Sequence, residues 1–309
     1  MRDARRIRPL FLVSFVSAFA LVGAACVPLI DPPPGGGEVV TETFYLGPFT
    51  LGPGGEVQGS PSSIPRPSGA FGIKGARFDV VDENGNPVGV HDVHLHHIVL
   101  TTSARQDQLC PNRRERFLGS GMERTPVNLW GPYTYLVSAN EQWGAIYHVM
   151  NETAPGTPAK TVRIKYEIDY QPGANATNSR PLDVYFQDIT GCGNSTYDIP
   201  GNGGPGSIHV KSQSWTVPDD GIVVSTGGHL HMGGIDITLK DETNDAVICK
   251  GVAEYHHDPD HLASINGCQT HWAVSAGNTV SVTARYDNSQ PWEDVMGIQM
   301  TWVWWGDQE

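Results

Sequence analysis

An all-β fold of antiparallel strands, built as two consecutive β-sandwiches, is what this 309-residue chain predicts. Three observations carry the prediction. Glycine (36) and proline (23) are abundant enough to punctuate many short elements with turns. Residues 161–170 alternate Val162, Ile164, Tyr166, Ile168 and Tyr170 against Arg163, Lys165, Glu167 and Asp169, the period of a half-buried strand. No long segment repeats apolar residues at helical spacing.

The first 25 residues read as an export signal. Arg2, Arg5, Arg6 and Arg8 precede an apolar run, Leu10 to Ala25, that is short for a bilayer span. Cys26 follows the small residues Gly23, Ala24 and Ala25. The arrangement resembles a bacterial lipoprotein signal, in which that cysteine is lipidated, although Gly23 stands where such signals usually carry leucine. The protein is therefore expected to be exported, as a cell-surface lipoprotein or a secreted protein. Residues 26–38, which include Pro32 to Pro34 followed by Gly35 to Gly37, form a tether. The net charge is −13, and removing the signal's net +3 leaves −16. So acidic a chain repels phosphate backbones, which argues against nucleic acid as a partner. Membrane contact is expected only through a lipid on Cys26.

Strand-like runs begin near Val39. Ala76–Val81 and His94–Thr102 are strand candidates, and the turn-forming stretch from Asp82 to Pro87 lies between them. Leu182–Phe186 and Ile208–Val217 continue the style. Gly191 to Gly206 holds six glycines and two prolines and reads as a hinge. It separates a first sandwich, residues 39–203, from a second, residues 204–309. Strands of the second are expected at Gly221–Ser225, Ile235–Leu239, Ala246–Ile248, Thr279–Tyr286 and Met296–Trp305. Asn151, Asn175 and Asn194 open glycan-acceptor triplets and mark surface loops.

The cysteine count is odd, at five. Reserving Cys26 for lipid leaves four, which suits an oxidising compartment. Of the three possible pairings, Cys110–Cys192 with Cys249–Cys268 keeps each bridge within one half. No CxxC pair exists, so a zinc–thiolate site is not indicated.

The chemistry-bearing residues are histidines. His229 and His231 lie two apart in Gly227-Gly-His-Leu-His-Met-Gly-Gly234, so on a strand both imidazoles share a face. The glycines leave room for close approach of a metal or substrate. Val93-His-Leu-His-His-Ile98 echoes this pattern in the first half. His148 stands alone in the apolar run Ala145–Met150, where an ordinary core role competes with ligation.

Taken in order, His96-His97, His148, His229-x-His231 and Met296 resemble the motifs of the copper type II, ascorbate-dependent monooxygenases. That family includes peptidylglycine hydroxylating monooxygenase and dopamine β-hydroxylase. The resemblance spans roughly residues 75–305. It implies two jelly-roll-like sandwiches facing across a cleft, two copper ions, and ascorbate or a similar reductant as co-substrate. It implies that copper on His96, His97 and His148 supplies an electron. Copper on the catalytic set His229, His231 and Met296 would bind dioxygen and hydroxylate a C–H bond of a small-molecule substrate. A thioether favours Cu(I) and argues against zinc. Alternatives stay open. His94 shares a strand face with His96 and competes with His97. Met300 and Met232 compete with Met296. His256, His257, His261 and His271 read as a solvated loop, and His91 and His209 have no partner in the pattern. The peptide-amidating branch holds a substrate carboxylate with an Arg two residues before His-x-His and polar residues after the Met. Here those places are Gly227, Ile298 and Met300, which argues against a peptide carboxylate. The rival functions are an exported copper-binding or electron-transfer protein without oxygenase activity, and a β-sandwich binding module with incidental histidines.

Overall fold

A computed structural model describes residues 37–257 and 261–306. The export signal, Cys26 and most of the tether lie outside the described residues. Among the described residues the chain is all-β: 21 strands and no helix. The first-half strands form two sheets. One has the order β1 (Val40–Leu51), β9 (Lys160–Pro172), β3 (Phe71–Asp82), β7 (Tyr133–Val137), β10 (Arg180–Pro181), with β6 (Val127–Asn128) also on β3. The other runs β2 (Glu56–Gly59), β8 (Trp143–Asn151), β4 (Val93–Gln106), β5 (Arg114–Gly121). The alternating stretch expected at 161–170 is the inner strand β9, and its apolar members Val162, Ile164, Tyr166 and Ile168 are buried. The expected turn after β3 is present. The Asp82 carboxylate accepts from the backbone N–H of Asn84 and Asn86 at 2.8 Å each, and Gly85 takes the left-handed conformation there, φ 87°.

Three further sheets involve the second half. A five-stranded sheet orders β13 (Ile208–Thr216), β19 (Thr279–Asp287), β15 (Gly234–Asp241), β16 (Ala246–Tyr255), β17 (Leu262–Ile265). A four-stranded sheet orders β11 (Asp183–Asp188), β21 (Gly297–Trp305), β14 (Gly221–Leu230), β18 (Cys268–Val274). A small ribbon pairs β12 (Tyr197–Pro200) with β20 (Pro291–Val295). The glycine-rich stretch 191–206 therefore contains a strand, and both β11 and β12 pair with strands from the chain's end.

In the β11–β21–β14–β18 sheet, β11, β21 and β14 are buried on both faces, while the edge strand β18 exposes alternate residues. Val184, Phe186, Ile222, Val224, Ile298, Met300 and Trp302 join a core formed with the first-half sheets. Their alternating neighbours Tyr185, Val223 and Val303 join a second core with the five-stranded sheet. A strand buried on both faces has no solvent side to make polar, so β21 reads as a nearly continuous apolar run, buried from Gly297 to Val303. Two of its polar side chains find partners inside: Thr301 donates to Gln187 at 2.7 Å, and Gln299 donates to Thr226. The disulfides are Cys110–Cys192 and Cys249–Cys268, the pairing expected from the sequence.

Candidate metal centre

The first histidine set sits on the paired strands β4 and β8, where His97 faces His148 across the ladder. On a regular strand His96 and His97 would point to opposite faces. The register shifts between Leu95 and His97, and such a bulge re-aims side chains. As a result His96 Nδ1 lies 3.3 Å from His97 Nδ1 and 3.2 Å from His148 Nδ1. One ligand atom from each residue can be chosen so that all three lie within 4.8 Å of one another. Metal–imidazole bonds of about 2.0 Å place neighbouring donors about 3 Å apart, so this spacing fits a shared ion. On the far side of His148, Nε2 donates to Glu56 at 2.9 Å. A carboxylate only accepts, so His148 keeps a bare Nδ1 on the inner side. Burial, then the neighbouring His97, lowers the His96 pKa to about 2; burial, then His229, lowers that of His97 to about 3. Both rings are therefore neutral and free to ligate at neutral pH.

The second set inverts this arrangement. His229, near the end of β14, holds the Glu123 carboxylate through Nδ1, 3.1 Å from each oxygen. His231 Nδ1 donates to the Asp294 carbonyl at 2.8 Å. Both Nδ1 atoms therefore carry the proton and both Nε2 atoms carry the lone pair. His229 Nε2 and His231 Nε2 are buried with no hydrogen-bond partner. Two unpaired lone pairs in a buried site are costly in a metal-free protein and fit a metal. Burial holds the His231 ring well below the usual histidine range. Met296 connects β20 to β21 and is buried. One buried phenol, Tyr286, ties the two ligand-bearing segments: it accepts from His231 N at 2.8 Å and donates to the Met296 carbonyl. Gly121 makes room for the ring, since a Cβ there would fall 2.4 Å from His229 Cε1.

The two sets meet. The His96 and His231 ring centroids are 4.2 Å apart, and those of His229 and His231 5.0 Å. In place of facing sets separated by a cleft, the structure shows five contiguous imidazoles. A cavity of about 620 Å³ opens beside them, lined by His97, His229 and Met296 together with apolar Phe186, Met300 and Trp302. Met300 thus also faces the cavity, while Met232 is half-buried beside His231.

His94 lies apart from the first set. It is buried and sits with Glu152 and His261. The solvated-loop expectation describes His256 and His257, which are exposed; His271 is exposed but lies on β18, and His261, whose side chain is 12% exposed, is bonded to Glu152. His209 packs loosely on Tyr197, ring centroids 6.2 Å apart. Glu56, Glu123, Tyr286 and the Asp294 carbonyl escaped the sequence reading. No motif marks them, because each reaches its histidine from a distant strand or loop.

Two sets of histidine side chains inside an all-β shell make a candidate metal centre. The chain belongs to the family described as Stress up-regulated Nod 19, which it matches over residues 37–121 and 152–304. The matched residues include His96, His97, His229, His231 and Met296 but not His148. It is also similar to "Probable copper-dependent oxygenase M1" of Phoma sp., 24% identical over 229 residues, covering 68% of this chain and 57% of that protein. "Probable copper-dependent oxygenase clz3" of Cochliobolus lunatus is likewise 24% identical, with 68% and 71% covered. The chain thus spans a little over half the length of the first relative. Among solved structures, the crystal structure of the STIV MCP covers 86% of this chain and 96% of its own, at 11% identity and a TM-score of 0.32, too low to inform the fold.

Proposed function

We propose that this protein is a copper-dependent monooxygenase. It would hydroxylate a C–H bond of a small-molecule substrate with dioxygen and an external reductant, ascorbate or a similar donor. Bound copper would supply the one-electron chemistry that imidazole and thioether side chains cannot. The nitrogen-only set His96, His97 and His148 suits an ion that works in both oxidation states, so we assign it to electron supply. The set His229, His231 and Met296 includes a soft donor that favours Cu(I), so we assign it to dioxygen. The observation that carries the reading is the pair of buried, unpartnered Nε2 atoms of His229 and His231, next to the cavity that Met296 lines. Glu123 and the Asp294 carbonyl fix the tautomer and tilt of those two rings. The apolar part of the cavity wall, Phe186, Met300 and Trp302, would seat an apolar substrate body. Relatives named as copper-dependent oxygenases support the reading. We retain the division into sandwiches at 39–203 and 204–309, each giving one ligand set. The two disulfides support an oxidising, exported setting, and no helix among the described residues is long and apolar enough to cross a membrane. Anchoring through Cys26 is tested by Cys26→Ser, which should move the protein into the soluble fraction.

The deciding experiment measures copper stoichiometry beside ascorbate-driven oxygen uptake. Wild type should bind two coppers and consume oxygen. Met296→Ala should retain most Cu(II) yet lose oxygen uptake. Copper binding without uptake in wild type would favour the electron-transfer alternative, and no copper at all would favour the binding module.

A further inference from the structure

His94, Glu152 and His261 form a second, separate group of potential ligands. His94 comes from β4, and Glu152 immediately follows β8, whose last residue Asn151 pairs with Val93. The backbone N–H of Glu152 donates to the Asp92 carbonyl at 3.0 Å, which holds the carboxylate beside the strand. His261 arrives from the second half, just before β17. Its loop is closed by His256 N donating to the His261 carbonyl at 3.0 Å. One Glu152 oxygen lies 2.8 Å from His261 Nε2 and the other 3.3 Å from His94 Nδ1. A ligand atom from each of the three residues lies within 4.8 Å of the others. His91 adds a further ring, its Nδ1 3.2 Å from His261 Nδ1.

The informative member is His94. It is 1% exposed; its Nδ1 lies 3.3 Å from a Glu152 oxygen, and its Nε2 has no hydrogen-bond partner. A buried imidazole nitrogen left unsatisfied is costly unless something else occupies it. We propose that His94, Glu152 and His261 bind a divalent metal ion of zinc-like preference, at a site distinct from the five-histidine cluster. Two imidazoles and one carboxylate form an established zinc donor set, and separations near 3 Å suit bonds of about 2 Å. The set holds no sulfur, so it lacks the donor that would favour Cu(I). The ion would bridge β4 and the end of β8 to the loop before β17, joining the two halves of the chain. It stands close to the other cluster, since the His94 and His96 ring centroids are 6.1 Å apart, so the test separates the two.

The test titrates the metal-free full chain with Zn²⁺ alone, read by elemental analysis after desalting, in wild type, Glu152→Gln, His261→Asn and His96→Ala. Near-ultraviolet circular dichroism checks that each variant is folded. Glu152→Gln and His261→Asn should each lose one tightly held zinc equivalent, or bind it at least tenfold more weakly, while His96→Ala retains it. Co²⁺ taken up in place of zinc should give the intense d–d bands of a four-coordinate site, and these should vanish in Glu152→Gln. The proposal is overturned if the two variants bind zinc as wild type does, or if His96→Ala removes the same equivalent. Neither outcome bears on whether the five-histidine cluster holds copper, so the two readings fail separately.

Discussion

The two histidine sets of the cluster differ in the ring nitrogen they present. His148 turns Nε2 to Glu56 and offers Nδ1, which converges with the Nδ1 atoms of His96 and His97. His229 and His231 turn Nδ1 to Glu123 and to the Asp294 carbonyl, and offer Nε2. In the first set three donors already face one another across two paired strands. In the second, two donors are fixed by outer partners, and the third ligand, Met296, comes from a different strand connection. The first set is therefore organised by ladder register, the second by hydrogen bonds from behind. A set held by register should tolerate loss of its outer partner, whereas a set held from behind should not.

The largest effect should come from removing a ligand. His231→Ala should remove one copper, weakening it by several kcal/mol, and abolish oxygen uptake. His148→Ala should leave the thioether-containing set loaded but slow its resupply with electrons. Equal copper loss in both variants would mean that the contiguous rings act as one site.

Next comes pH. Above pH 6.5, the ordinary histidine value, His96 and His97 are neutral in both folded and unfolded metal-free protein, and stability does not respond to them. Below it the unfolded chain gains protons that the folded chain refuses until about pH 3 at His97 and about pH 2 at His96. Stability should therefore fall as pH falls from 6.5, by up to about 1.4 kcal/mol per pH unit for each such histidine. Denaturant midpoints from pH 7 to 4.5 check this, and His96→Ala should flatten the slope by one group's share.

Glu123→Gln addresses the arrangement behind the second set directly. The amide can still accept from His229 but supplies no charge, and copper affinity there should drop about 10–100-fold. Glu56→Gln, the matching change behind His148, should cost less, because Glu56 is half-exposed, with 52% of its side chain in solvent, and register holds that ring. Equal losses in the two variants would end the distinction.

Tyr286→Phe should have the smallest effect. It removes the hydroxyl joining His231 N to the Met296 carbonyl and should lower stability by about 1–2 kcal/mol. Oxygen uptake should suffer more than Cu(II) content, since the change loosens Met296 relative to His231.

Much of the fold was legible. β9 announced itself by alternation, because one of its faces meets the core and the other meets polar neighbours. The disulfides followed from parity and position. The His96-His97 pair was readable as a motif but not as a geometry: two adjacent strand residues reach one side only through a bulge, and bulges leave no mark in composition. The same bulge separates His94 from His96, although a regular strand would keep them on one face. Glu123 and Tyr286 were invisible because long-range register brings them in. The spacing of the two sets was hidden for the same reason. Nothing in the spacing of the histidines tells that the rings of His96 and His231 meet with centroids 4.2 Å apart.

The shared sheet limits how this protein can move. β11 enters from the first half and pairs over six residues with β21, while β12 pairs with β20. Swinging one half away from the other would tear both ladders and expose the apolar faces of Trp302 and Val303 to water. Large rigid-body opening on the microsecond-to-millisecond scale is thereby suppressed. Under the proposed division of labour, the spacing of the two ligand sets would be set at folding, and electrons would pass between the adjoining rings of His96 and His231, whose centroids lie 4.2 Å apart.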